Sequence, residues 1–186
     1  PAQAPPRTAL HVIKPSRGTD LAAAEQAAAA FLGALGVDLD TESLAATLAR
    51  MARAYAEMFS PRPFDLTTFP NDAGYDELII ARSIPVQSVC EHHLLPFVGV
   101  AHVGYLPGER ILGLSKLARV VELFARRPQV QERLTQQVAD WLQDQLSPRG
   151  VGVVVEAEHL CMTVRGVRAS GANTVTSALH GQLRKD

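Results

Sequence analysis

Residues 97–106 read "FVGVAHVGYL". Branched and aromatic residues fill this stretch, which is the composition of a β-strand. The earlier segment "ELIIARSI" (77–84) has the same character, and "PGER" (107–110) supplies a turn into "ILGL". On either side of this β-like centre the pattern changes. "TDLAAAEQAAAAFLGALG" predicts a helix with Thr19 or Asp20 as its cap and Gly36 as its stop. A second helix is predicted over about 41–59, with Leu44, Leu48, Met51, Tyr55 and Met58 on one face, ended by "SPRPF". Downstream, "SKLARVVELFARR" turns Leu117, Val120, Val121 and Phe124 to one side. "PQVQERLTQQVADWLQDQL" opens with Pro128 in a predicted first turn and has a face through Val130, Leu134, Val138, Trp141 and Gln145. Strands return at "VGVVVEAEHLCMTVRGV" (151–167) and "TVTSALHGQL" (174–183). Helices, strands, two helices, then strands: this order fits an α+β domain with an antiparallel sheet.

The totals set bounds. The chain has 186 residues, enough for one well-filled core, and its net charge is -1. Aromatic content is 5%, and no basic stripe is interleaved with aromatics, so neither nucleic acid nor a membrane is expected as a partner. No apolar run approaches the length of a membrane span. Residues 1–18 read as a flexible, proline-rich tail without the apolar segment of an export signal. The expected location is therefore the cytoplasm, where two cysteines stay free or bind metal. The expected domain covers 19–186, with helices over 19–60 and the core over 61–186.

The chemistry concentrates in "SVCEHHLLPF" (88–97). Cys90 and His93 lie three apart in a predicted turn, and Cys161 lies far along the chain on a predicted strand. Two thiolates and an imidazole suit Zn²⁺, and three protein ligands leave a fourth position for water. Two buried apolar cysteines, or a cysteine nucleophile with His92 as base, are alternatives at this point. On the predicted strand, His159, Cys161 and Arg165 share parity and so one face.

Two further clusters stand out. In "GLSKLAR" (113–119), Ser115 starts a helix, with Lys116 and Arg119 three apart behind it; Arg50 and Arg53 in "RMAR" repeat that spacing. Such groups form a phosphate seat, or else a capped helix with a solvated basic face. In "QVQERLT" (129–135), Gln131 and Glu132 lie near a helix start. A carboxylate there can accept both the N1–H and the exocyclic amine of guanine, or simply favour the helix dipole.

Taken together, "SVCEHHLLPFVGVAHVGYLP", "GLSKLARVVE", "RRPQVQERLT", "GVGVVVEAEHLCMTVRGV" and "TVTS" resemble the GTP cyclohydrolase I family over about residues 20–184. The resemblance implies a tunnelling fold (T-fold): an antiparallel sheet with helices on one side, joined between chains into an oligomeric barrel. It implies a homodecamer with interfacial active sites. It implies zinc on Cys90, His93 and Cys161, and catalytic roles for His92 and His159. Gln131 and Glu132 match guanine-recognition residues. Ser115, Lys116, Arg119 and Arg165 match triphosphate contacts, with Arg50 and Arg53 contributed by a neighbouring chain. The implied reaction converts GTP to 7,8-dihydroneopterin triphosphate and formate, the first step of tetrahydrofolate and pterin synthesis. Some positions depart from the family pattern: Leu48 replaces a usual proline, Ser83 replaces a common aspartate, and Ala172 and Asn173 stand in a variable turn. Glu91 is read as a hydrogen-bonding neighbour of the site or a solvated residue, not a ligand.

Overall fold

A computed structural model describes residues 18–184. They fall into two compact units, 18–60 and 61–184. Apart from Gly18, the tail expected at 1–18 lies outside the described residues.

The first unit is a pair of packed helices. Helix α1 spans Leu21–Ala34; the Asp20 side chain accepts the Ala23 N–H at its start. Gly36, at φ 77, ends it, and the Val37 N–H returns to Leu32 O. The helix expected over 41–59 is divided. A 3-10 turn occupies Glu42–Leu44, and helix α2 begins only at Thr47 and runs to Met58. Leu48 therefore stands inside α2, not before it.

In the second unit, β1 (Thr68–Pro70) pairs with β4 (Arg110–Leu112). The main sheet contains β2 (Ile79–Cys90), β3 (Pro96–Leu106), β5 (Pro128–Gln129), β6 (Gly150–His159) and β7 (Asn173–Gly181). Its order is β5-β2-β3-β6-β7, antiparallel except for β5 against β2. Alternation along β3 decides which face is covered. Phe97, Ala101, Val103 and Tyr105 are fully buried, whereas Val98 is 43% exposed. Helices α3 (Leu114–Ala125) and α4 (Gln131–Leu146) cover the buried face, α3 over β2 and α4 over β6 and β7. Leu117, Val120, Leu134, Val138 and Leu142 fill the space between, with Val151, Val153 and Val155 of β6. On the uncovered face Ile80, Val98, Val175 and Leu179 are exposed.

Two local features shape the sheet. The β2–β3 register slips between Ala81 and Ile84, where Ser83 takes φ 56. An aspartate tolerates that left-handed conformation more readily than serine does. At Gly99, a Cβ atom would lie 1.9 Å from Glu156 O, so β3 and β6 approach this closely only over a glycine.

The expected strand over 151–167 is corrected. It stops at His159, and a one-turn helix, α5 (Leu160–Thr163), follows. Pairing with β3 ends at Phe97↔His159 and with β7 at Glu158↔Asn173, so the backbone beyond has no ladder to join. It closes on itself instead: Val164 N–H bonds Leu160 O, and Ala169 N–H bonds Met162 O. His159, Cys161 and Arg165 thus do not share a strand face. Pro128 is not in a helical first turn either. It pairs with Val89 in β5, at the sheet edge, where proline has no ladder hydrogen bond to lose. The buried face of α4 runs through Gln131, Leu134, Thr135, Val138, Ala139, Leu142 and Leu146; Trp141 is half-buried and Gln145 exposed.

Candidate active site

The end of β2 collects the sulfur and imidazole groups. Cys90 N–H bonds Leu95 O at 2.9 Å, and Leu94 N–H bonds Cys90 O at 2.8 Å, folding residues 91–94 into a tight turn. Cys90 Sγ then lies 3.7 Å from His92 Nδ1 and 3.9 Å from His93 Nδ1. α5 delivers Cys161 from the other side. The ligand atoms of Cys90, His93 and Cys161 all lie within 4.8 Å of one another. Cys90 is buried, Cys161 half-buried and His93 exposed. Burial, followed by the neighbouring Cys90, pushes the Cys161 thiol above its ordinary value; Arg165 acts in the opposite sense. Two thiols this close resist ionising together unless a cation joins them. The donor set therefore fits a thiophilic divalent ion.

His159 closes the adjacent wall. Its ring lies nearly parallel to Phe97, with centroids 4.6 Å apart and planes 13° apart. Its Nε2 is 2.7 Å from Gln131 Oε1. The Gln131 amide nitrogen in turn donates to Val155 O, Thr174 O and Thr176 Oγ1. Burial lowers the His159 pKa, with Glu132 opposing the shift, so the neutral imidazole is favoured. Gln131 is 1% exposed and fully engaged within the protein, whereas Glu132 is exposed at the first turn of α4.

Glu91 is tied down. It ion-pairs with Arg133, which also donates to Gln129 Oε1 at 2.6 Å. The Arg133 hydrogen bond holds the Glu91 carboxyl below its ordinary value. The Glu91 N–H bonds Gln129 O at 3.0 Å, so β5 and α4 together brace the turn that carries the ligands.

The basic residues have separate surroundings. Ser115 is exposed in the first turn of α3 and makes no capping bond; Lys116 Nζ sits 5.9 Å from the centroid of the Phe64 ring. Arg119 Nη1 is 3.5 Å from Glu122, which is held by Arg62 through two bonds of 2.7 Å. Arg165 is exposed just beyond α5. Arg50 and Arg53 are exposed on α2 in the first unit, where Arg50 Nη2 donates to Thr47 Oγ1 at 3.3 Å.

Sequence reasoning missed Phe97, Thr135, Thr176 and Arg133. Thr135 lies four residues after Gln131 on α4, a spacing that places both on one helix face. Phe97 is found only through register, because it pairs directly with His159.

The match to known proteins is extensive. Residues 24–186 match the family described as GTP cyclohydrolase I. The GTP cyclohydrolase 1 of Thermobifida fusca is 56% identical over 173 residues, covering 90% of this chain and 84% of that protein. That of Streptomyces avermitilis is 58% identical over 166 residues, covering 87% and 83%. That of Mycolicibacterium paratuberculosis is 55% identical over 184 residues, covering 96% and 89%. The crystal structure of an apo archaeosine synthase, QueF-Like, overlaps 56% of this chain and 93% of its own at TM-score 0.45 and 19% identity, too slight a likeness to bear on function. The chain belongs to the GTP cyclohydrolase I family of enzymes.

Proposed function

We propose that this chain hydrolyses and remodels GTP to 7,8-dihydroneopterin triphosphate and formate, opening tetrahydrofolate and pterin synthesis in the cytoplasm. Cys90, His93 and Cys161 hold a zinc ion, a Lewis acid that makes water nucleophilic near neutral pH. His159, neutral at rest, accepts a proton from the attacking water and delivers it to N7 of the purine as the imidazole ring opens. His92, beside Cys90, assists proton transfer. Glu132 accepts the N1–H and exocyclic amine of guanine, a pair adenine cannot offer. Gln131 acts through His159, because its amide is already committed inside the protein. Ser115, Lys116, Arg119 and Arg165 hold the triphosphate, joined by Arg50 and Arg53 of a neighbouring chain.

The assembly proposed is a T-fold barrel, ten chains in all, with sites at chain interfaces. The uncovered apolar sheet face, with Ile80 52% and Val175 60% exposed, supports an oligomer. Among the described residues, no helix is long and apolar enough to cross a membrane.

The gathering of the Cys90, His93 and Cys161 ligand atoms within 4.8 Å, beside His92, carries this reading. Its test is metal content and GTP turnover in one purified sample. About one zinc per chain, with formate and a fluorescent pterin released, is expected. Metal without formate, or no metal at all, would overturn it.

A further inference from the structure

The interior of the His159 seat has a determined direction. The Gln131 amide has two hydrogens, and two backbone carbonyls face its nitrogen: Thr174 O at 2.8 Å and Val155 O at 3.0 Å. Reversing the amide would set its oxygen against both carbonyls and forfeit both bonds in a residue only 1% exposed. The amide oxygen therefore faces His159 Nε2, and that oxygen can only accept.

The hydroxyls around it follow the same logic. Thr135 Oγ1 donates to Gln131 O at 2.8 Å. Having used its one hydrogen, it accepts from Thr176 Oγ1 at 2.6 Å. Thr176 then presents lone pairs to Gln131 Nε2, 3.2 Å away. Each donor has an acceptor, and the two amide hydrogens are shared among three acceptors, Thr176 Oγ1 being the most distant. The stack on Phe97 fixes the ring plane, and a half-turn within it would put a carbon in place of Nε2 against the Gln131 oxygen.

We infer that the Val155 and Thr174 carbonyls together with Thr135 and Thr176, acting through Gln131, hold His159 as its Nε2–H tautomer, so that Nδ1 is the atom that takes a proton from the attacking water and hands it to the reacting purine. The last clause rests on the proposed function; the tautomer itself does not. Thr135 and Thr176 are positioning residues, since neither touches the reacting atoms.

The experiment uses metal-loaded, full-length protein labelled with ¹⁵N-histidine. The His159 nitrogens are identified by NMR through their loss in His159→Asn. The expected spectrum shows a protonated Nε2 and an unprotonated Nδ1. Thr176→Val keeps the shape but removes the hydroxyl. Its kcat is expected to fall about tenfold, with KM for GTP within about twofold of the parent, and its His159 spectrum to show both tautomers. Thr176→Ser should restore both readouts. An Nδ1–H tautomer in the parent would overturn the inference. So would an unchanged kcat and spectrum in a Thr176→Val protein that retains its metal and thermal transition. A parent showing the Nε2–H tautomer but releasing no formate would sink the functional reading and leave the tautomer standing.

Discussion

The two walls of the site are built on opposite plans. At His159, a buried glutamine, two threonines, two strand carbonyls and an aromatic ring already define the imidazole's position. At the 90–93 turn, the Cys90 thiol approaches the two imidazoles only to 3.7–3.9 Å, and both histidines are exposed. His159 is thus positioned by folding alone. The candidate ligand set is brought near, and a bound cation would join it. Metal loss should therefore loosen one wall and spare the other.

Removing a ligand tests that division most severely. Cys161→Ser is expected to abolish metal retention and lower turnover by about a thousandfold or more, measured by atomic spectroscopy and formate release. The His159 spectrum should persist; its collapse would show that the walls are one unit. Next in size is Gly99→Ala. The added methyl meets Glu156 O at 1.9 Å, two residues from Phe97↔His159, and overpacking of this kind costs about 3 kcal/mol. Urea unfolding should show that loss, and the His159 spectrum should change where metal affinity changes less.

Arg133→Gln addresses the other wall. It releases Glu91 and Gln129, and metal transfer to a chelator should become about tenfold easier, with His159 unaffected. Glu122 gives the smallest effect. The Arg62 hydrogen bond lowers its pKa in the folded chain, so the stabilisation is present above the unfolded carboxyl value and disappears as pH falls through the folded one. The stability difference between the parent and Glu122→Gln, followed by urea titration, should shrink on acidification. A difference that stays constant would mean that Arg62 is not what holds Glu122 ionised.

Much of this arrangement was legible in the sequence, for uneven reasons. Cys90, His93 and Cys161 announced themselves by chemistry, and the structure brings them together. The branched and aromatic residues of 97–106 placed β3, and its buried face emerged only with the structure. The route to Cys161 was not legible. Branched residues continue past His159, but the strand ends there because its neighbours end. The burial of Gln131 was not legible for a related reason. Which side of α4 faces inward depends on Pro128 and Gln129 pairing with β2, and a two-residue strand leaves no periodic trace. Thr135 and Thr176 lie far apart in sequence and meet only after α4 packs on β7.

The ligands' distribution along the chain has a consequence for biogenesis. Cys90 and His93 precede both long helices of the second unit, whereas Cys161 follows β6. A nascent chain that has not yet emerged past α5 offers an incoming ion two donors instead of three. Tight capture waits until β3 has found both β2 and β6, because that pairing brings the distant cysteine home. The binding free energy of an ion held there would then accrue to finished molecules and not to half-made ones. Metal uptake during synthesis would then report closure of the sheet, readable by stalling translation before and after residue 161.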